Sequence, residues 1–101
     1  MANIQLSWDN PNATDIDNIC VHRFDTDQSS TYDGSLDATA AAAFTTAQAA
    51  VLNTSDSSYS YSAGAVTFTD TTAATGNTYT YGVFSKNGAG YGPGEAETIT
   101  I

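Results

Sequence analysis

Cys20 and His22 stand two positions apart in the run Ile19-Cys-Val-His-Arg-Phe24. On an extended strand that spacing puts both side chains on one face. A thiol beside an imidazole there could be half of a metal site or a nucleophile with its base. Either would need a third group, yet the chain has one cysteine and one histidine. The expectation is therefore no catalytic residue and no transition-metal ligand, with the pair lying on a sheet surface. Asp9, Asp15, Asp17, Asp25 and Asp27 are a second candidate set. Loop carboxylates at one pole of a sandwich can gather Ca²⁺, which takes six to eight oxygens. Their spacing matches no EF-hand, so a solvated acidic end is expected, with no metal and no cofactor. A paired-carboxylate glycosidase would need a cleft and a general acid of raised pKa, and a small sandwich with this many loops offers no evident cleft.

The elements that carry these residues are strands. Val66 and Phe68, then Tyr79, Tyr81 and Val83, recur at every second position around a polar turn containing Gly76. Period two predicts an antiparallel pair, each strand with one buried face. Ile4, Leu6 and Trp8 predict a strand before the Asp9-Asn-Pro11 loop, since Pro11 cannot continue a ladder. Residues 16–24 predict the next strand, with Ile19, Val21 and Arg23 on one face and Cys20, His22 and Phe24 on the other. Residues 25–35 read as a polar connection with an Asp33-Gly34 turn signal. Residues 53–64 read as a loop or short edge strand, residues 88–94 as a flexible glycine loop, and residues 95–101 as a closing strand with Ile99 and Ile101 on one face. Residues 37–52 break the rhythm: the alanine run, an Asp37 cap and the stripe Phe44, Ala47, Val51 predict a helix that must pack on something.

Composition limits the partners. The chain has 101 residues, one domain's worth (1–101), enough to bury about two thirds of the surface its unfolded form exposes. Only 13% of residues are charged and the net charge is −9, with Arg23 and Lys86 the sole permanent cations. Neutralising phosphates takes several basic residues, so nucleic acid and anionic membrane surfaces are both disfavoured. With Cys20 alone there is no intrachain disulfide, which fits synthesis in a reducing compartment. Residues 1–8 enter a strand pattern with no basic start and no apolar run of signal length. That is the expectation for a complete soluble polypeptide or for a domain of a larger protein.

The order of motifs resembles a fibronectin type III domain. Leu6-Ser-Trp8 matches its early strand with a buried Trp. Ile16, Ile19, Val21 and Arg23 match its next long strand, Phe68-Thr-Asp70 a strand ending F-x-D, and Gly76, Tyr79, Tyr81, Val83, Asn87 and Gly90 its last motif. The match covers about two thirds of the chain. It implies an all-β, immunoglobulin-like antiparallel sandwich of about seven strands with a short helical insertion near 37–52, inside a longer inserted region at about 28–64. It also implies a core of Leu6, Trp8, Ile19, Val21, Phe68, Tyr79, Tyr81 and Val83, with the Tyr79 hydroxyl bonded back to the backbone just upstream. The family's usual first strand is short or missing here, Ile19 replaces an aromatic, and no Arg-Gly-Asp tripeptide is present.

With that core, Phe24 and Phe84 face outward beside Cys20 and His22, an unusual apolar patch. Residues 37–52 are expected to fold over it, placing Phe44 and Val51 against Phe24 and Phe84; the rival cover is another protein. Tyr32, Tyr59, Tyr61 and Tyr91 lie in or near loops, where tyrosine marks interfaces or carbohydrate contacts. The resemblance extends to the fibronectin-like and immunoglobulin-like modules that bacteriophages carry on capsids, tails and fibres. It implies a non-enzymatic virion structural or decoration protein, docking on other virion proteins, adhering weakly to host-surface glycans and assembling in several copies. The alternative is an extracellular or cell-surface spacer, or a carbohydrate-binding accessory module of a bacterial enzyme or adhesin.

Overall fold

The computed structural model describes residues 2–8, 18–47, 49–51 and 67–101. Seven strands and one helix occur among them, in the order β1 (Ala2–Ser7), β2 (Asn18–Phe24), β3 (Gly34–Leu36), α1 (Ala38–Thr46), β4 (Ala50–Val51), β5 (Thr67–Ala73), β6 (Thr78–Asn87) and β7 (Gly90–Thr100). All pairings are antiparallel. β1 pairs with β5, and the other five form a sheet ordered β3-β7-β6-β2-β4. The molecule is thus mostly β, two sheets and one short helix, with a sandwich-like arrangement of layers.

Register decides what each face buries. Val21 lies opposite Val83 and Arg23 opposite Tyr81, while Cys20 lies opposite Phe84 and His22 opposite Gly82. The first set looks toward β1 and β5, where Tyr79, Tyr81 and Ala73 form a core flanked by Ile4, Leu6 and Ile101. The second set looks toward α1, where Leu36, Ala41, Phe44, Phe84 and Ala96 form another core. β6 is buried along both faces from Tyr79 to Gly82, whereas its period-two pattern had suggested only one. Phe44 of the helix layer covers Gly82, and the 26–28 connection covers Thr80 through hydrogen bonds at its hydroxyl, so the outward positions become core.

Three further expectations need correction. The helix is half the expected length: Asp37 caps it by accepting from the Ala40 N–H at 2.8 Å, and the backbone turns extended at Ala47. The Thr45 and Thr46 hydroxyls bond back to carbonyls of residues 41–43 as it closes. Val51 therefore leaves the helical stripe and lies in β4, its backbone opposite His22. The polar connection 25–35 ends in a strand, β3, whose Leu36 joins the helix-side core; three residues are too few to show alternation. The glycine stretch is largely the first half of β7, with only Gly88 and Ala89 left as the turn. A Cβ on Gly94 would strike the Val83 carbonyl and the Phe84 ring, so glycine there lets β7 approach β6 closely.

Candidate interaction site

Between the sheets sits a polar cluster. Arg23 Nη1 donates to Asp70 Oδ2 at 2.7 Å and to Thr72 Oγ1 at 2.9 Å, and its Nε donates to Asp25 Oδ1 at 2.8 Å. The guanidinium carbon lies 4.7 Å from the centroid of the Tyr79 ring. Asp70 also accepts from the Tyr81 hydroxyl at 2.7 Å and from the Thr72 N–H and hydroxyl. Burial alone would raise the Asp70 pKa, but the bonds from Thr72, Tyr81 and Arg23 outweigh it and hold the pKa at about 2. Burial and the bond to Asp70 push the Tyr81 hydroxyl well above its ordinary pKa. These groups are satisfied by one another, and neither acid nor base is poised near neutrality for proton transfer. The cluster pins β5 across β2 and β6, and this is structural work.

Across the sheet, Phe44 fills the space the sequence left open. Its ring lies 4.8 Å from Phe24, 4.9 Å from Tyr32 and 5.0 Å from Phe84, centroid to centroid. The expected cover of Phe24 and Phe84 by residues 37–52 is present through Phe44. Phe84 is fully buried, so as a contact for another protein it is corrected to core, while Phe24 is half-buried at the margin of that core. Cys20 and His22, expected on a sheet surface, are buried as well. His22 meets the Tyr91 ring edge-on at 6.0 Å, and its Nδ1 has no hydrogen-bond partner among the described residues. Burial, and secondarily the Lys86 charge, lower its pKa. Tyr32 and Tyr91 are half-buried against this core, and the Lys86 ammonium sits 5.4 Å from the Tyr91 centroid. Tyr59 and Tyr61 lie outside the described residues.

The expected inner core is present in graded form. Ile19, Val21, Tyr79 and Tyr81 are buried, while Leu6, Trp8, Phe68 and Val83 are half-buried. The Tyr79 hydroxyl accepts the Ala74 N–H at 2.8 Å and the Asn77 side-chain amide at 3.1 Å, the upstream bond expected of it. Of the acidic set, Asp25 pairs with Arg23 and Asp27 accepts from the Ser29 N–H and hydroxyl. Asp9, Asp15 and Asp17 lie outside the described residues. No cluster of three metal-ligating side chains, and no helix long and apolar enough to cross a membrane, occurs among the described residues.

A surface that sequence reasoning missed lies beside β1. β5 rests over β2 and β6 through Asp70, and β1 flanks it on the β7 side. Among the described residues, the other edge of β1 has no strand beside it. There a cleft opens in two adjoining parts of about 280 and 340 Å³, both walled by Trp8, Val83 and Glu95. The larger part adds Leu6 and Ser7 from β1, Asp33 just before β3 and Gly34 at its start, and Glu97 from β7. Glu95 lies opposite Val83, Glu97 opposite Tyr81 and Ile99 opposite Tyr79, so all three point to the inter-sheet side of β7. They are nonetheless exposed, Ile99 at 39%. The readable signal was the shared parity of Glu95 and Glu97 with Ile99 and Ile101. No protein-family model matches this chain, and no curated protein matches it either.

Proposed function

We propose that this chain is a non-enzymatic docking module of the fibronectin type III or immunoglobulin-like kind, serving as a virion structural or decoration protein. The observation that carries the docking part is the asymmetry of the two faces. The helix side of the large sheet is sealed by Phe44, whereas the β1 side leaves an acidic, partly apolar strip of β7 uncovered. The upstream bond of Tyr79 and the inter-sheet position of Leu6 support the family reading. A net charge of −9 supports a module that stays in solution and off a packaged genome. Sedimentation and electron microscopy of the purified chain, alone and with candidate capsid or tail proteins, test the virion part. Assembly into or onto a large symmetric particle is expected. A chain that stays monomeric and ignores such particles would defeat that reading.

The second reading is a spacer or carbohydrate-binding accessory module of a bacterial extracellular protein. Trp8 favours it, because an indole walling a cleft of this size can stack against a sugar ring. Fold analogy does not choose between the two. Binding of neutral oligosaccharides without particle assembly would select the second.

A further inference from the structure

We propose that the open strip beside β1 accepts an extended segment of a different protein, added as a strand along β1 and carrying basic side chains at alternate positions. The inference rests on the docking reading above, though not on its virion part, and it names the chemistry of the partner. Three observations carry it.

The first is backbone chemistry. A strand edge without a neighbour presents a row of N–H and C=O groups, which is the template for strand addition. The β1 edge is such a row over Ala2–Ser7, among the described residues. The second is the shape behind that edge. A strand added there would lie over β7, and its inward side chains, about 6.8 Å apart, would meet Glu95, Glu97 and Ile99, which have the same two-residue spacing. The third is charge. Inward-pointing carboxylates on an uncovered sheet discourage an apolar strand and a second acidic one. Asp33 adds to the same wall, and Glu95 is held in place by the Ser35 hydroxyl at 3.2 Å. A basic strand would relieve this repulsion.

A second copy of this chain does not fit the role. Its only cations are Arg23, spent on Asp70 and Asp25, and Lys86, on the opposite side over Tyr91. The occupant is therefore another protein. A saccharide lying on Trp8 is the competing occupant and becomes an outcome of the test.

Trp8 is the single tryptophan, so its fluorescence reports the cleft directly. The whole chain would be titrated with an eight-residue peptide alternating threonine and lysine, with a peptide of the same composition holding its lysines in one block, and with the alternating peptide N-methylated at every residue, which removes the donors from both edges. Attraction to a −9 protein is common to all three, so differences report pairing and spacing. The expected result is saturable binding of the alternating peptide, at least about fivefold tighter than the blocked one, and loss of binding on N-methylation. The double variant Glu95→Gln, Glu97→Gln alters exposed residues and should fold normally. It should weaken the alternating peptide about fivefold, as two surface ion pairs allow, and leave the blocked peptide nearly unchanged. Equal binding of alternating and blocked peptides, undiminished binding of the N-methylated one, no binding at all, or a Trp8 response to maltose or lactose alone each overturns the proposal. A chain that assembles on particles yet ignores the peptide overturns this inference and leaves the virion reading intact. Binding the peptide without assembling does the reverse.

Discussion

Replacing Asp70 by Asn removes a charge with almost no change in volume, and the structure says what that costs. The carboxylate accepts four hydrogen bonds, from Arg23 Nη1 and the Tyr81 hydroxyl at 2.7 Å, the Thr72 N–H at 2.8 Å and the Thr72 hydroxyl at 2.6 Å. An amide offers one accepting oxygen and one donating nitrogen. With the oxygen toward Arg23 and Tyr81, the NH₂ faces the Thr72 N–H; turned over, it faces the guanidinium. Donor meets donor either way, in a site only 2% exposed. Breaking a buried pair costs roughly 3–5 kcal/mol. Arg23 keeps Asp25 and the face of Tyr79, which places the cost near the lower figure, about 3 kcal/mol. That is a large share of the 5–15 kcal/mol typical of a domain and lowers Tm by about 15 °C.

The same substitution has a signature in pH. The Asp70 pKa falls from an ordinary 3.8 to about 2 on folding, so its ionised form stabilises the fold by about 2 kcal/mol above pH 3.8. That contribution is lost as pH falls from 3.8 through 2. Asn does not titrate, and every other carboxyl is common to both proteins. The gap in unfolding free energy should therefore be about 3 kcal/mol at pH 7 and shrink by about 2 kcal/mol by pH 2. Urea unfolding followed by Trp8 fluorescence and circular dichroism at pH 7, 5, 3.5 and 2 measures it. A variant within 1 kcal/mol of the parent at pH 7, or a gap that does not change with pH, refutes the assignment of Asp70 as the charged hub between the sheets.

Phe44→Ala should destabilise by roughly 3–5 kcal/mol, since the ring is fully buried against Phe24, Tyr32 and Phe84; near-normal thermal unfolding would mean that α1 does not seal that face. Gly82→Ala puts a methyl 2.5 Å from the Phe84 ring and 2.7 Å from Phe44, an overpacking expected to cost about 1–3 kcal/mol, and a stabilised variant in the same melt contradicts the packing. Tyr79→Phe leaves the Ala74 N–H and the Asn77 amide without their acceptor and should cost about 1–2 kcal/mol, with faster amide exchange at Ala74 as the local readout. His22 titrates below its ordinary 6.5 because burial and then Lys86 disfavour its charge. The folded state thus holds fewer protons, and this contribution is complete above pH 6.5 and lost as pH falls through the folded pKa. His22→Leu should flatten the decline in stability as pH falls below 6.5, and superimposable urea profiles for the two proteins would rule the effect out.

How much of this was legible in the sequence depended on what kind of signal each feature leaves. Alternation placed β2, β5 and β6 and set the facing of Ile19, Val21, Tyr79 and Tyr81, because a pleated strand repeats every two residues and a single buried face prints that period in the chain. The outward phenylalanines implied a cover, and Phe44 provides it. Helix length was not legible. Alanine favours a helix throughout 38–50, but pairing of residues 50 and 51 with β2 ends it, and that partner lies 27–29 residues upstream. β3 was hidden behind the Asp33-Gly34 turn signal, where Gly34 takes a positive φ of 66°, and the front of β7 because Gly94 serves backbone approach to β6; both read as loop signals. Arg23 was placed on the correct face, yet its partner Asp70 was seen only as part of a motif; a lone cation on an inward face should have prompted the search for an inward carboxylate. The acidic strip was written in the parity of Glu95 and Glu97, but parity assigns a side chain to a face and says nothing about whether another strand covers it.

Burial of the central strands on both faces restricts where partner recognition can reside. Along Tyr79–Gly82 a partner cannot reach either face of β6 without displacing Phe44 or the Arg23–Asp70 pair, each held by several contacts, while Val83 farther along lines the cleft at Trp8. Recognition is left to rims and edges, and there the charge is nearly all of one sign. One of the chain's two cations is consumed inside, so the outer field is more negative than a surface with mixed charges would give. Such a field speeds the approach of any basic partner and weakens with salt, but it does not choose among them. Choice falls to the short-range fit at the β1 edge. Substitutions of distant carboxylates should therefore change association rates alike for all basic ligands, while substitutions of Glu95 and Glu97 should change dissociation of the strand-forming ones. Stopped-flow kinetics of the alternating and blocked peptides at two salt concentrations separate the two effects, and a common shift in association rate from both kinds of substitution would remove the distinction between field and fit.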